Sequence, residues 1–244
     1  MEYEKKTKNI VIGFSHGVLY KIHDINTEEN MKLFQDCGCN AIEVNYHHDR
    51  ENEFLELNSI IPYIRDFDYV SLHAPCDIRY GNNEETRILL KRVNDYCLKI
   101  NAQLVVVHPD LVDDWEIFDE FKINWAIENM DDRKEHFKDL AELKAFFTSH
   151  PTWKLVLDLG HCNANDKTMG LAENLIHNFV DRIKEIHLSG YETFHDPLYR
   201  TKQSEIIKLC NKLDVPIIIE STFGINDGVD GLEREFGYIM ENLD

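Results

Sequence analysis

The chain has 244 residues, 43% of them hydrophobic and 29% charged, with 45 acidic against 26 basic side chains and a formal net charge of -19. That is the make-up of a globular protein long enough to bury a sizeable core, and it argues against the broad basic face that nucleic acid or an anionic membrane would need, a small basic patch staying open. Six cysteines without a CxxC pair, an N-terminus (MEYEKKTKNIVIGF) without the apolar stretch of a signal peptide, and no apolar run of membrane-span length predict a soluble cytoplasmic protein with free thiols.

Short β-branched runs alternate with amphipathic stretches along the whole sequence. The first strand is expected over 9–15 (NIVIGFS), then a helix over 27–38 with an N-terminal cap and a closing glycine. A second strand over 41–46 leads into a helix over 51–64, and a third over 69–75 (YVSLHAP) into a helix over 84–100. The fourth strand, 102–109 (AQLVVVHP), precedes a short helix over 113–121, and the fifth, 123–130 (INWAIENM), a helix over 134–149. Strand six over 153–161 ends in LDLGH, where a tight Gly160 turn is expected to bring His161 beside Asp158, with a helix over 171–181 after it. Strands over 183–190 (IKEIHLSG) and 216–222 (PIIIEST), with helices over 204–213 and 231–242, complete the chain.

Eight strand–helix units spaced by roughly 30 residues are what an α/β (β/α)8 TIM barrel requires. A doubly wound open sheet is the alternative, but it usually has fewer strands and a Gly-rich phosphate turn. Neither GxGxxG nor GxxxxGK[ST] is present. With no linker or low-complexity segment, residues 1–244 read as a single barrel domain.

In such barrels the active site lies at the C-terminal ends of the strands. Those ends carry His73, His108, Glu128, Asp158 with His161, His187 with His195 soon after, and Glu220. Singly, each has an ordinary explanation: Asp158 reads equally well as a cap on the next helix, and a lone strand-end histidine is usually structural. Together they place mutually repelling carboxylates in one cavity, and divalent cations would supply the missing positive charge. His16, His47 and His48 follow the first two strands and could line the mouth or be solvated; His23, His136, His150 and His177 read as surface residues. Arg79, Arg200 and Lys202 could meet a substrate phosphate, but read better as solvated loop charges.

The segments SLHAP, VVVHP, AIENM, DLGHCNA, EIHLSG, HDPL (195–198) and IIIES, in this order, resemble the xylose isomerase-like barrel superfamily, which includes endonuclease IV (AP endonuclease family 2) and many sugar isomerases and epimerases. The endonuclease IV pattern implies one metal on His73, His108 and Glu128. It implies a second held by Glu128 as a bridge with Asp158, His187 and Glu220, and a third on His161 and His195 with an aspartate two residues before the latter. That position is Thr193 here, so the third site would need Asp196 or water. The Gly-rich DNA-recognition loop of those nucleases is missing from IGFSHGVLYK.

Sugar isomerases and epimerases of the superfamily share the quartet Glu128, Asp158, His187 and Glu220. The resemblance to them implies one Mn2+, Mg2+ or Co2+ on vicinal sugar oxygens, with one glutamate removing a carbon-bound proton and the other returning one. They often lack histidines like His73 and His108, and often carry an arginine soon after the strand-seven histidine, where this chain reads HLSGYETF. The expectation is therefore an isomerase or epimerase of a small sugar or sugar phosphate, using one to three divalent ions (Zn2+ or Mn2+, with Mg2+ and Co2+ as the alternatives). The alternative is a zinc-dependent phosphoester hydrolase, and a non-catalytic binding barrel comes third.

Overall fold

The computed structural model describes residues 10–22, 24–46 and 53–243. Eight parallel strands close in sequence order: β1 (Ile12–Ser15), β2 (Ala41–Asn45), β3 (Tyr69–His73), β4 (Leu104–Val107), β5 (Trp125–Glu128), β6 (Lys154–Asp158), β7 (Ile183–Leu188) and β8 (Ile217–Ile219), the last pairing with β1. The helices are α1 (Glu28–Asp36), α2 (Glu53–Ile64), α3 (Glu84–Ile100), α4 (Leu140–Ser149), α5 (Leu159–Asn165), α6 (Gly170–Phe179), α7 (Leu198–Thr201), α8 (Ser204–Cys210) and α9 (Asp230–Asn242). This is the expected TIM barrel. No helix of the described residues is long and apolar enough to cross a membrane.

Strand alternation divides the molecule into two environments. Ile42 and Val44, Val70 and Leu72, Val105 and Val107, Leu155 and Leu157, Ile186 and Leu188 point outwards into one continuous core beneath the helices. The intervening residues point into the barrel. There Leu104, Val106, Ala126 and Val156 form one small apolar cluster, and Ala41, Tyr69 and Ile218 with Val11 another. The remaining inward positions are polar. Between β1 and β2 the backbones approach so closely that a Cβ on Gly13 would stand 1.6 Å from the carbonyl oxygen of Ala41.

Side-chain caps begin α1 and α3: Thr27 accepts from the Asn30 amide and Asn83 from the Thr86 amide. Three local readings are corrected. The helix expected over 113–121 is a 3-10 turn, Glu116–Glu120, with Trp115 edge-on to Trp153 (5.1 Å) and Phe118 edge-on to Trp125 (5.0 Å) filling the space of a helix. The helix expected from 134 starts at Leu140, because Asp139 accepts from the Ala141 and Glu142 amides and fixes the start there. That leaves 131–138 as a loop over the barrel mouth. Gly160 is no turn: α5 begins directly after Asp158.

Candidate metal centre

At the C-terminal ends of the strands the inward alternation ends on an acid or a histidine in unit after unit. His73 closes β3, Glu128 β5 and Asp158 β6, while His187 lies one residue from the end of β7. His108 and Glu220 directly follow β4 and β8. Donor atoms of Glu128, Asp158, His187 and Glu220 lie within 4.8 Å of one another, as do those of His73, His108 and Glu128. Glu128 belongs to both groups. Its Oε2 is 3.0 Å from His108 Nε2 and 3.8 Å from His73 Nε2, and its Oε1 is 3.0 Å from His187 Nδ1. Glu220 Oε2 approaches the same Nδ1 at 3.4 Å.

The two oxygens of Asp158 have different surroundings. Oδ1 accepts from the His161 amide at 2.7 Å and caps α5. Oδ2 is buried and accepts no hydrogen bond from the described residues, with His161 Nδ1 3.4 Å away. An orphaned carboxylate oxygen among other carboxylates and imidazoles is the feature a cation would satisfy. His161, far from a surface residue, is buried by the first turn of α5.

Main-chain groups set two rings for ligation. His73 Nδ1 donates to the Ala74 carbonyl and His161 Nδ1 to the Asn129 carbonyl, both at 2.9 Å, so Nε2 is the nitrogen each ring would offer to an ion. Asn129 is a brace that the sequence reading missed. Its amide donates to the Asp158 carbonyl at 3.0 Å, and its oxygen accepts from the Asp158 N–H at 2.9 Å, tying the ends of β5 and β6 together.

Burial penalises every charge here, and neighbours decide which groups keep one. Burial opposes ionisation of Glu128, but His187, His108 and His161 overcome it and hold the carboxyl well below its ordinary value. Asp158 goes the other way: burial, reinforced by Glu128 and Glu220, pushes it well above. Burial lowers His108, and it lowers His195 to about 4.

The residues expected around a third ion are placed differently. His161 and His195 face each other with ring centroids 5.4 Å apart. Asp196, however, turns away and accepts from the Glu192, Thr193 and Phe194 amides, holding its own loop. The acid that approaches His161 Nε2 is Asp131, at 3.9 Å. It is already engaged by Arg133, whose Nε donates at 2.7 Å, and by the Tyr191 hydroxyl at 2.9 Å. A guanidinium thus stands beside His161, its carbon 3.9 Å from the Phe194 ring centroid. Asp131 and Arg133 carried no recognisable signal, since a DDRK run reads as a solvated turn.

Of the other residues weighed, His16 is buried below the mouth, its Nε2 3.1 Å from Asn26 Oδ1 and its Nδ1 accepting from the Asn45 amide. His23, His47 and His48 lie outside the described residues. His136 and His177 are exposed, whereas His150 is half-buried and stacked on Phe146. Arg79 pairs with Asp113, Arg200 with Asp227, and Lys202 sits over Tyr238; none lines the cavity.

The cavity has two lobes that share Asn45, Phe194, His195 and Glu220. The first, about 320 Å³, is walled by Val18, Tyr20 and Ile25. The second, about 190 Å³, holds His73, His108, Glu128 and His161, with Arg133 and Lys134 at its rim. Volumes of this size suit a small molecule.

No family model matches the sequence, and no curated protein matches it. Among solved structures the chain is similar to a D-tagatose 3-epimerase-like protein, at 17% identity and a TM-score of 0.67, covering 95% of this chain and 97% of that one. It is similar to the E. coli 3-keto-D-glucoside 4-epimerase in its apo form, at 13% identity and 0.64, covering 95% and 99%. Endonuclease IV from Thermus thermophilus aligns at 16% identity and 0.64, covering 87% and 93%. At such identities what these structures share with this chain is the fold.

Proposed function

We propose that the chain is a divalent-metal-dependent isomerase or epimerase of a small sugar or sugar phosphate, with Glu128 and Glu220 as proton carriers. The observation that carries this reading is the quartet of Glu128, Asp158, His187 and Glu220, of which Glu128 and Glu220 line a small two-lobed cavity, with an unsatisfied Asp158 oxygen among its donors. Three carboxylates and one imidazole, without sulfur, suit Mn2+ or Zn2+, with Mg2+ and Co2+ compatible. When bound there, such an ion would polarise a substrate carbonyl and stabilise charge developing on its oxygen.

The chain's own groups do the rest. Glu220 edges both lobes and reaches substrate first, while Glu128 lies deeper, its side chain 1% exposed against 13%. One carboxylate takes the carbon-bound proton and the other returns one. The neighbouring imidazoles favour the anionic, proton-accepting form of either glutamate, and the one that returns a proton must first take it from solvent. Phe194 and Tyr20 supply apolar surface to the first lobe. Arg133, stacked and braced by Asp131, offers its guanidinium edge to an anionic group such as a sugar phosphate. Unpaired cysteines agree with a cytoplasmic setting.

The test is solvent-deuterium incorporation into a panel of free ketoses and ketose phosphates, for the wild type, Glu128→Gln and Glu220→Gln. Incorporation should occur with the wild type alone; wild-type rates in either variant would remove the reading. A second reading, phosphoester hydrolysis, is favoured by the group His73, His108 and Glu128. Two zinc ions per chain with cleavage of a phosphodiester would support it instead.

A further inference from the structure

Directly below the quartet, inside the barrel, lie two acids that the proposed reaction does not use. Glu43 on β2 and Glu185 on β7 are both completely buried. Both oxygens of Glu43 and Oε2 of Glu185 accept no hydrogen bond from the described residues. Two carboxylates in a protein interior are costly unless they serve something there. The Tyr69 hydroxyl comes up to Glu185, but the group that meets both acids is the His187 ring. Its Nε2 is 3.0 Å from Glu185 Oε1 and 3.2 Å from Glu43 Oε2. Nδ1, on the other side of the ring, faces Glu128 and Glu220.

An imidazole can give a lone pair from one nitrogen only if its proton sits on the other. His73 and His161 solve this with main-chain carbonyls on Nδ1 and present Nε2. His187 is mounted the opposite way round, and its proton acceptor is a carboxylate, which makes the ring a more basic donor than a carbonyl would.

We propose that Glu185, backed by Glu43, is a positioning residue that keeps His187 in its Nε2–H form and aims the Nδ1 lone pair into the quartet, thereby setting the affinity of the centre for a divalent ion. This rests on the quartet being a metal centre and not on which reaction follows. Glu43, Glu185 and His187 also satisfy the geometry of a separate cation site. Occupying it would take Nε2 and leave a proton on Nδ1, pointing into the quartet, so the two uses exclude each other.

The experiment is a Co2+ titration of chelator-stripped protein, read from the visible absorption of the bound ion, for the wild type, Glu185→Leu, Glu185→Gln and Glu43→Gln. Thermal unfolding in chelator checks that each variant folds cooperatively. Glu185→Leu should bind Co2+ about 10- to 100-fold more weakly than the wild type at unchanged stoichiometry. Glu185→Gln should lose less, because its amide oxygen still accepts from Nε2–H, and it carries the test if the leucine variant does not fold. Unchanged affinity in the folded Glu185 variants overturns the proposal. So does the loss of one whole ion per chain with the rest bound normally, which would mark a separate cation site. A wild type that binds no Co2+ removes this proposal and the metal reading together, whereas one that binds Co2+ tightly but exchanges no substrate proton fails the isomerase reading alone.

Discussion

Exchanging Asp158 for Asn separates the two duties of that side chain. Asparagine keeps an oxygen for the His161 amide, so the cap on α5 survives, but the charge on the orphaned oxygen disappears. Quartet donors lie within 4.8 Å of one another, so a pair of carboxylate charges there repels by about 3 kcal/mol at an effective dielectric of about 20. In the metal-free protein burial, with Glu128 and Glu220, opposes the charge of Asp158 and holds the carboxyl well above its ordinary value, while His161 and His187 offset this in part. Allowing for that partial cancellation, metal-free Asp158→Asn should be more stable than the wild type by about 1–2 kcal/mol. For a chain of this length that is a rise in Tm of about 2–8 °C. With a divalent ion at 100 times its Kd the wild type gains about 2.7 kcal/mol, and the variant loses most of that gain. Thermal melts in EDTA and in excess Mn2+ should therefore rank the two proteins in opposite orders. Asp158→Ala, which also drops the cap, should fall about 1 kcal/mol below Asp158→Asn. A variant that melts below the wild type in EDTA, or gains as much from Mn2+, would refute the assignment of Asp158 as an unmet anionic donor.

His195 sets an acid limit on the metal-free protein. Burial depresses its folded value to about 4 from 6.5. Above pH 6.5 both folded and unfolded states are neutral there; below it the unfolded chain binds the proton first, so stability drains between about pH 6.5 and 4, by at most about 3 kcal/mol. His195→Gln should flatten that part of the stability profile, as urea midpoints measured in EDTA at several pH values would show, and an equally steep profile would count against it. Arg133→Met should raise KM for a ketose phosphate by about 10- to 150-fold, the worth of one charge-assisted hydrogen bond, with little change in kcat. The same KM rise with the unphosphorylated ketose would dismiss the anion role. Gly13→Ala should cost more than about 4 kcal/mol or prevent folding, since its Cβ would collide with the Ala41 carbonyl. Gly237→Ala, in α9 with nothing within 4 Å, should instead stabilise by about 0.5–1 kcal/mol in urea unfolding.

The barrel was legible because its strands are short β-branched runs and its helices carry caps such as Thr27 and Asn83. The strand-end acids and histidines were legible because an ionisable residue closing an apolar run contradicts the run. Glu43 and Glu185 were hidden by the same logic: within AIEVN and IKEIHL a glutamate reads as the solvent-facing half of an alternation, and only closure of the barrel turns that face inwards. Asp131 and Arg133 lie in a loop whose path over the mouth is set by the cap at Asp139, far from any periodic signal. Gly160 read as a turn because glycine usually marks one. In the barrel it permits a close approach, since a Cβ there would meet the Ser189 hydroxyl at 2.7 Å.

The split between the outward core and the barrel interior bears on how such a protein changes over generations. The residues that hold strand to helix form one continuous apolar layer, whereas the inward positions supply only two small apolar clusters and otherwise hold polar groups. Inheritance of the fold and inheritance of the reaction therefore rest on different letters of the same strands, alternating one by one. A lineage can exchange the inward letters and arrive at new chemistry while the outward letters, unaltered, keep delivering the same scaffold.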